Sequence, residues 1–322
     1  MSVPVVPLGR QGLRVSKQGL GCMGMSAFYG SDDEKESVAT LERALELGVT
    51  FWDTAEMYGQ GANEELIARV LGDRRDQVTL ATKFGVVPDP ADPENRARRV
   101  MDGSPANVRR SVDASLSRLR TDHIDLFYQH RPDPATPIEE TVGALAEAVQ
   151  AGKIRYYGLS EVTPDLVRRA HAVHPVTAVQ SEYSLWTREN VEELLPVQRE
   201  LGIGTVAYSP LGRGFLTGRF RSPADFGEGD FRSQNGRFTQ EAFDANMRIV
   251  DVVKEVAAAH GATPAQVALA WVASRGEDIV PIPGTRRASR LEENVGALDL
   301  TLTGEDLARL DPLSDLVVGA RY

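Results

Sequence analysis

Short apolar or β-branched runs recur along the chain, and each is followed by a stretch whose apolar residues return at helical spacing. That alternation is the pattern of repeated β/α units. Eight runs read as strands: Gln18 to Cys22, Thr50 to Asp53, Val78 to Thr82, Ile124 to Tyr128, Ile154 to Leu159, Thr177 to Gln180, Gly204 to Ala207 and Asp278 to Ile282. After the first, Ser31 and Asp32 are candidate caps for a helix carrying Val38, Leu41, Ala44, Leu45 and Leu47, which Gly48 ends. Further helical patterns cover residues 63 to 71, 105 to 120, 138 to 151, 164 to 173, 190 to 201 and 241 to 275, and one more follows the eighth strand near 287 to 297. The longest breaks at Gly261 and restarts at Thr263 and Pro264, a cap followed by a residue suited to the first turn. Val5 to Leu8 and Leu13 to Val15 flank Gly9 to Gly12 and predict a hairpin ahead of the first strand, placed to plug one mouth of a barrel.

Eight strands with crossover helices close naturally into a barrel, whereas an open doubly wound sheet more often has five to seven. The expected fold is therefore α/β, a (β/α)8 TIM barrel with an N-terminal β-hairpin. No Ser/Gly-rich linker or midway shift in composition divides residues 1–322, so a single domain is expected. Two connections are long, Gly85 to Gly103 and Leu211 to Gln240. In a barrel both rise from the C-terminal face, where sites are built.

The composition, 42% hydrophobic and 25% charged, is that of a folded globular chain. No run of about eighteen apolar residues is present to cross a membrane, and the opening residues lack a signal-peptide pattern, so a cytoplasmic protein is expected. A net charge of −10 would repel nucleic acid and anionic membranes; the arginines between Arg96 and Arg110, the one basic patch, read as loop and helix surface. Cys22 is the sole cysteine, which excludes an intrachain disulfide and a cysteine-built zinc site; it reads as a small buried hydrophobe. No metal is expected.

Gly19, Gly21 and Gly24 match the spacing of a dinucleotide-binding glycine loop, with Glu42 near the position of a ribose-binding acid. That loop must open directly into a helix, yet Met25 to Gly30 intervene. The glycines read instead as a strand end and a tight loop.

Asp53, Lys83 and His130 fall at or just past the C-terminal ends of consecutive strands, and Tyr58 follows Asp53 by five residues. Singly, each has an ordinary structural reading: a turn cap, partly buried filler, a surface charge, a hydrogen-bonded core histidine. Together they converge on one mouth of a barrel. A phenol there would hold its proton near neutrality, a lysine ammonium would lower its pKa, and Asp53 would keep the ammonium charged. His130 could orient a carbonyl oxygen toward Tyr58 and share its growing charge. None of these side chains delivers hydride, so a nicotinamide is implied.

The stretches Asp53 to Gly59, Thr82 to Gly85, Gln129 to Arg131, Gly158 to Ser160, Gln180 to Ser184, Tyr208 to Gly212 and Ile282 to Arg286 resemble the aldo-keto reductase superfamily, from the hairpin to about Asp311. The resemblance implies the catalytic set Asp53, Tyr58, Lys83 and His130, with Tyr58 as general acid for reduction. It also implies that Ser160 and Gln180 bind the nicotinamide carboxamide, that Tyr208 stacks on the ring, and that Ser209, Leu211 and Gly212 surround the pyrophosphate. From the residues alone that last loop could be a plain turn. Thr285, Arg286, Arg287 and Arg290 join a hydroxyl, cations and a helix N-terminus, either a phosphate site or a solvated basic helix start. The family pattern adds Glu293 and Asn294 as adenine contacts and points to NADPH/NADP+. Two positions depart from many relatives: Glu161 stands where asparagine follows the carboxamide serine, and Gly284 where lysine is common.

The expected activity is NADPH-dependent reduction of a small aldehyde or ketone, with Phe28, Tyr29, Phe84, Trp186, Phe215 and Phe231 as candidate pocket walls. Two alternatives stand beside it: a Schiff-base aldolase using Lys83, and an NADP(H)-binding regulatory subunit with little turnover. Physiological substrate, direction of flux and oligomeric state are not legible.

Overall fold

The structure, a computed structural model, describes residues 2–26, 33–92, 94–95, 98–227 and 230–321. Eight parallel strands form the barrel: β3 (Leu20–Gly21), β4 (Phe51–Asp53), β5 (Thr79–Phe84), β8 (Ile124–Gln129), β9 (Ile154–Ser160), β10 (Ala178–Glu182), β11 (Gly204–Tyr208) and β12 (Ile279–Ile282). They are hydrogen-bonded in chain order, and a parallel bridge from Gly21 to Gly284 closes the ring. Ahead of the barrel, β1 (Val5–Pro7) and β2 (Arg14–Ser16) make the expected antiparallel hairpin. Its Leu8, Leu13 and Val15 pack on Phe51, Ala81, Leu126, Ala178 and Val206 inside the barrel. The plug enters from the strands' N-terminal end, since a Cβ at Gly9, whose φ is +73°, would lie 2.8 Å from Thr177 O and 2.9 Å from Gly202 O.

Helices α1 (Glu34–Leu47), α2 (Ala62–Leu71), α3 (Pro105–Leu119), α4 (Ile138–Gln150), α5 (Pro164–Val173), α6 (Glu189–Leu201), α7 (Gln240–Ala259), α8 (Pro264–Ala273) and α9 (Ala288–Val295) surround the strands. Two apolar clusters fill the layer between helices and barrel. The N-cap of α1 is Asp33, whose side chain accepts from Glu36 N; the expected caps Ser31 and Asp32 lie outside the described residues. The first long connection is not plain loop. Val86–Pro88 (β6) and Arg99–Met101 (β7) pair as an antiparallel ribbon, whose three-residue arms are too short to show alternation in sequence. A tenth helix, α10 (Gly304–Leu310), opens on a capping box of Thr303 and Asp306 that the sequence reading passed over.

Candidate active site

Because side chains alternate along a strand, every second residue points into the barrel. Phe51, Ala81, Leu126, Tyr128, Ala178, Val206 and Val280 belong to the inner cluster. The same parity carried one step toward the C-terminal ends gives Asp53, Lys83, His130, Gln180, Tyr208 and Ile282. The site is the top layer of the barrel filling, with polar residues substituted for apolar ones. Gly158 makes room beneath it, since a Cβ there would lie 2.5 Å from the Tyr128 ring.

Lys83 is 1% exposed and Asp53 3%. The Lys83 ammonium donates to Asp53 Oδ1, to Thr54 O at 2.8 Å and to the Tyr58 hydroxyl at 3.5 Å. Gln180 Nε2 donates to the other Asp53 oxygen at 2.7 Å, so both carboxylate oxygens are engaged. Burial pulls the Lys83 pKa down, but Asp53 and Tyr58 outweigh it and leave the amine raised and charged. The Tyr58 phenol is also raised: burial is the larger effect, and Lys83 offsets only part of it. The expectation of a net lowering is thus corrected for the chain by itself; the ammonium lowers the phenol only relative to an equally buried one lacking it. His130 stands edge-on to Tyr58, ring centroids 5.9 Å apart. Burial, then Lys83 and Arg131, holds it well below the ordinary histidine pKa, so its ring is neutral.

Backbone strain collects here. Gly59, Gln60 and Gly61, directly after Tyr58, all have positive φ. Glu161, Ser209 and Arg213 are non-glycine residues with φ of 54°, 49° and 57°. An L-residue in that region costs about 1 kcal/mol, which the surrounding packing must hold.

A cavity of about 800 Å³ runs from Asp53, Tyr58 and His130 past Gln180, Tyr208, Ser209 and Leu211 to Thr285, Arg286, Arg290, Glu293 and Asn294. Most of the site residues expected from sequence wall it. Lys83, Ser160 and Gly212 do not: Lys83 stands behind Tyr58, Ser160 Oγ accepts from Arg131 at 3.3 Å, and Gly212 packs where a Cβ would meet Trp186 at 2.7 Å. At the far end Arg219, Arg232 and Arg287 join Arg286 and Arg290 along the wall. Burial and then Arg287 and Arg290 depress the Arg219 guanidinium, while Arg232, Arg287 and Arg290 each have a carboxylate partner, in Asp230, Glu36 and Glu293. Helix α9 begins there with no side-chain cap. In this structure Arg290 bonds Glu293 at 2.5 Å, so two expected contact residues pair with each other. Arg219 and Arg232 were missed because they sit mid-loop, at no strand end or helix start.

Other expectations are settled by packing. Glu42 is held by Arg74 at 2.7 and 2.9 Å, and among the described residues the glycines lead into a single 3-10 turn at Met23–Met25, not an α-helix. Cys22 is buried, its thiol pushed up by burial. Gly284 lies at the closing seam, its Cβ position 3.3 Å from Gly21 O. The expected aromatic walls are corrected: Phe84 stacks on Phe127, and Trp186 stacks on Phe215 at 4.7 Å, all buried. Phe231 does line the cavity, joined by Met57 and Phe220; Phe28 and Tyr29 lie outside the described residues. Among the described residues no group of His, Cys, Asp or Glu could hold a metal, and no helix is long and apolar enough to cross a membrane.

The family description for aldo/keto reductases matches residues 18–315. A relative from Glycine max, named a probable aldo-keto reductase 1, is 46% identical, covering 98% of this chain and 91% of its own. Among solved structures, a glycerol dehydrogenase from Gluconobacter oxydans superposes with a TM-score of 0.88 at 28% identity, covering 100% of this chain and 98% of the other. The holo form of an aldo-keto reductase from Bacillus halodurans gives 0.77 at 27%, covering 99% and 98%. With a family match over nearly the whole length and a closed eight-stranded barrel, the chain belongs to the aldo/keto reductase family, oxidoreductases that act on carbonyl groups.

Proposed function

We propose that the protein reduces aldehydes or ketones to alcohols with NADPH, Tyr58 supplying the proton. The observation that carries this reading is the continuous cavity joining Tyr58 and His130 to an arginine cluster. An elongated anion fits such a space: a reactive head beside Tyr58 and phosphates at the cationic end, near an uncapped helix N-terminus. Gln180 and Tyr208 would hold the nicotinamide, with Ser160 reaching its carboxamide beside Arg131, and Ser209, Leu211 and Gly212 would surround the pyrophosphate. Thr285, Arg286, Arg290, Glu293 and Asn294 would hold the adenosine phosphate end. The bound nicotinamide supplies hydride.

The chain's own residues manage the proton. Tyr58 donates its hydroxyl proton to the carbonyl oxygen as that oxygen becomes negative, and the Lys83 ammonium stabilises the phenolate left behind. Asp53 keeps Lys83 charged, and Gln180 fixes Asp53. Neutral His130 can donate a ring N–H to the same carbonyl oxygen and so orient it. A lysine held as ammonium is not a nucleophile, which argues against the Schiff-base reading. The regulatory-subunit reading is opposed by the assembled proton relay. Steady loss of the near-ultraviolet absorbance of NADPH with a panel of aryl aldehydes, 4-nitrobenzaldehyde among them, is the expected result. Stoichiometric NADPH binding without turnover across the panel would overturn it in favour of a binding subunit.

A further inference from the structure

Glu161, the residue that departs from the family's asparagine, is paired with the far end of the chain. Its Oε1 accepts from Arg321 Nη2 at 2.8 Å and from Glu182 N at 2.9 Å. The Arg321 fork reaches further: Nε donates to Glu182 Oε2 at 2.8 Å, and Nη2 also donates to the Tyr208 hydroxyl at 3.1 Å. Glu182 is 1% exposed and has Arg213 Nη2 at 3.4 Å as its second cation. Burial pushes the Glu161 carboxyl up, and Arg321 more than reverses this. Arg321 itself is tied down through its carbonyl, which accepts from Asn235 Nδ2 at 2.5 Å and Arg213 Nη1 at 3.4 Å. Upstream, Val318 exchanges two backbone bonds with the Asn246 amide.

These contacts meet at the cavity wall. Tyr208 and Arg213 line it, and Tyr208 is the register partner of Glu182 across β10 and β11. A single guanidinium therefore spans the buried carboxylate of Glu182 on β10, the half-buried one of Glu161 just past β9, and the hydroxyl of the ring assigned above to the nicotinamide. Its backbone holds the strained loop at Arg213 as well. Lysine, a point charge on a flexible stem, lacks the fork to do this.

We propose that Arg321 is a positioning residue: by clamping Glu161, Glu182 and Tyr208 it holds the nicotinamide end of the cavity in its cofactor-receiving shape. This rests on the NADPH reading. Without Arg321, Glu161 keeps the neutral donors Glu182 N and Asn190 Nδ2, Glu182 keeps Arg213 and the Thr187 hydroxyl, and Tyr208 loses a charge-assisted bond. NADPH would then pay to reorder the wall as it binds.

The test is NADPH affinity, by fluorescence titration, together with steady-state kinetics on full-length wild type, Arg321→Ala, Arg321→Lys and Arg248→Ala. Arg248 pins the same segment through Leu316 O at 2.6 Å, away from the site. Arg321→Ala is expected to raise Kd and KM for NADPH about tenfold, the equivalent of one charge-assisted hydrogen bond, with kcat at saturating cofactor within about twofold. Arg321→Lys should recover part of the affinity, and Arg248→Ala should match wild type. If Arg321→Ala binds NADPH like wild type, or if Arg248→Ala loses as much, Arg321 is only a structural tether and the proposal fails. If wild type itself takes up no NADPH, the cofactor reading fails first and the clamp's role falls with it.

Discussion

In the proposed reaction Tyr58 gives the proton, and its environment explains how a phenol can serve. Burial raises its pKa above the ordinary value near 10, while the ammonium at 3.5 Å opposes that rise and waits to pair with the phenolate. The donor is therefore protonated throughout the neutral range. His130 is held neutral, its pKa moved below the usual 6.5, so no charge change there should gate the reaction. The sign follows: reductive kcat should be flat as pH rises through about 6.5, where an exposed histidine would titrate, and should fall only in the alkaline range as Tyr58 loses its proton. A kcat–pH profile with a step near 6.5 would place a charged His130 in the mechanism instead. At this scale the sequence was informative where strand parity acts, because Asp53, Lys83, His130 and Gln180 occupy inward positions that can be counted along a strand. Arg321 and Glu161 lie 160 residues apart, and only folding reveals that they touch.

Elements position these residues with unequal visibility in the sequence. Strands with long apolar runs, such as β8, stand out, whereas the arms of the β6–β7 ribbon and the single-bridge closure at Gly21 carry too few residues for a period to register. The loop from residue 211 to 240 held Arg219 and Arg232 unnoticed, since loop chemistry has no periodicity to flag it. Helix α9 shows the opposite case. Thr285 to Arg290 read as a cationic helix start, and the structure sets it at the end of the cavity, without a side-chain cap. Replacing Arg286 and Arg290 together by alanine should weaken NADPH by about tenfold or more and NADH much less, because two charge-assisted bonds to a phosphate are lost. Equal losses for both cofactors, measured by titration, would move the phosphate site elsewhere.

The whole molecule sets the field in which the site works. The chain carries a net charge of −10, yet five arginines gather at one end of the cavity. An anionic ligand is thus repelled by most of the surface and drawn to that end. The hairpin fills the opposite mouth with Leu8, Leu13 and Val15, and the cavity lies at the end where Tyr58 sits. The barrel itself was legible from eight alternating units; what the alternation could not supply was which aromatic residues face the cavity, because Trp186 and Phe215 satisfy one another instead. The central claim is that the Tyr58 hydroxyl gives the proton that accompanies hydride transfer. Its most direct measurement is single-turnover reduction of 4-nitrobenzaldehyde by NADPH on Tyr58→Phe beside wild type. A loss of about a thousandfold with NADPH affinity unchanged is the predicted result, and an undiminished rate would contradict the account.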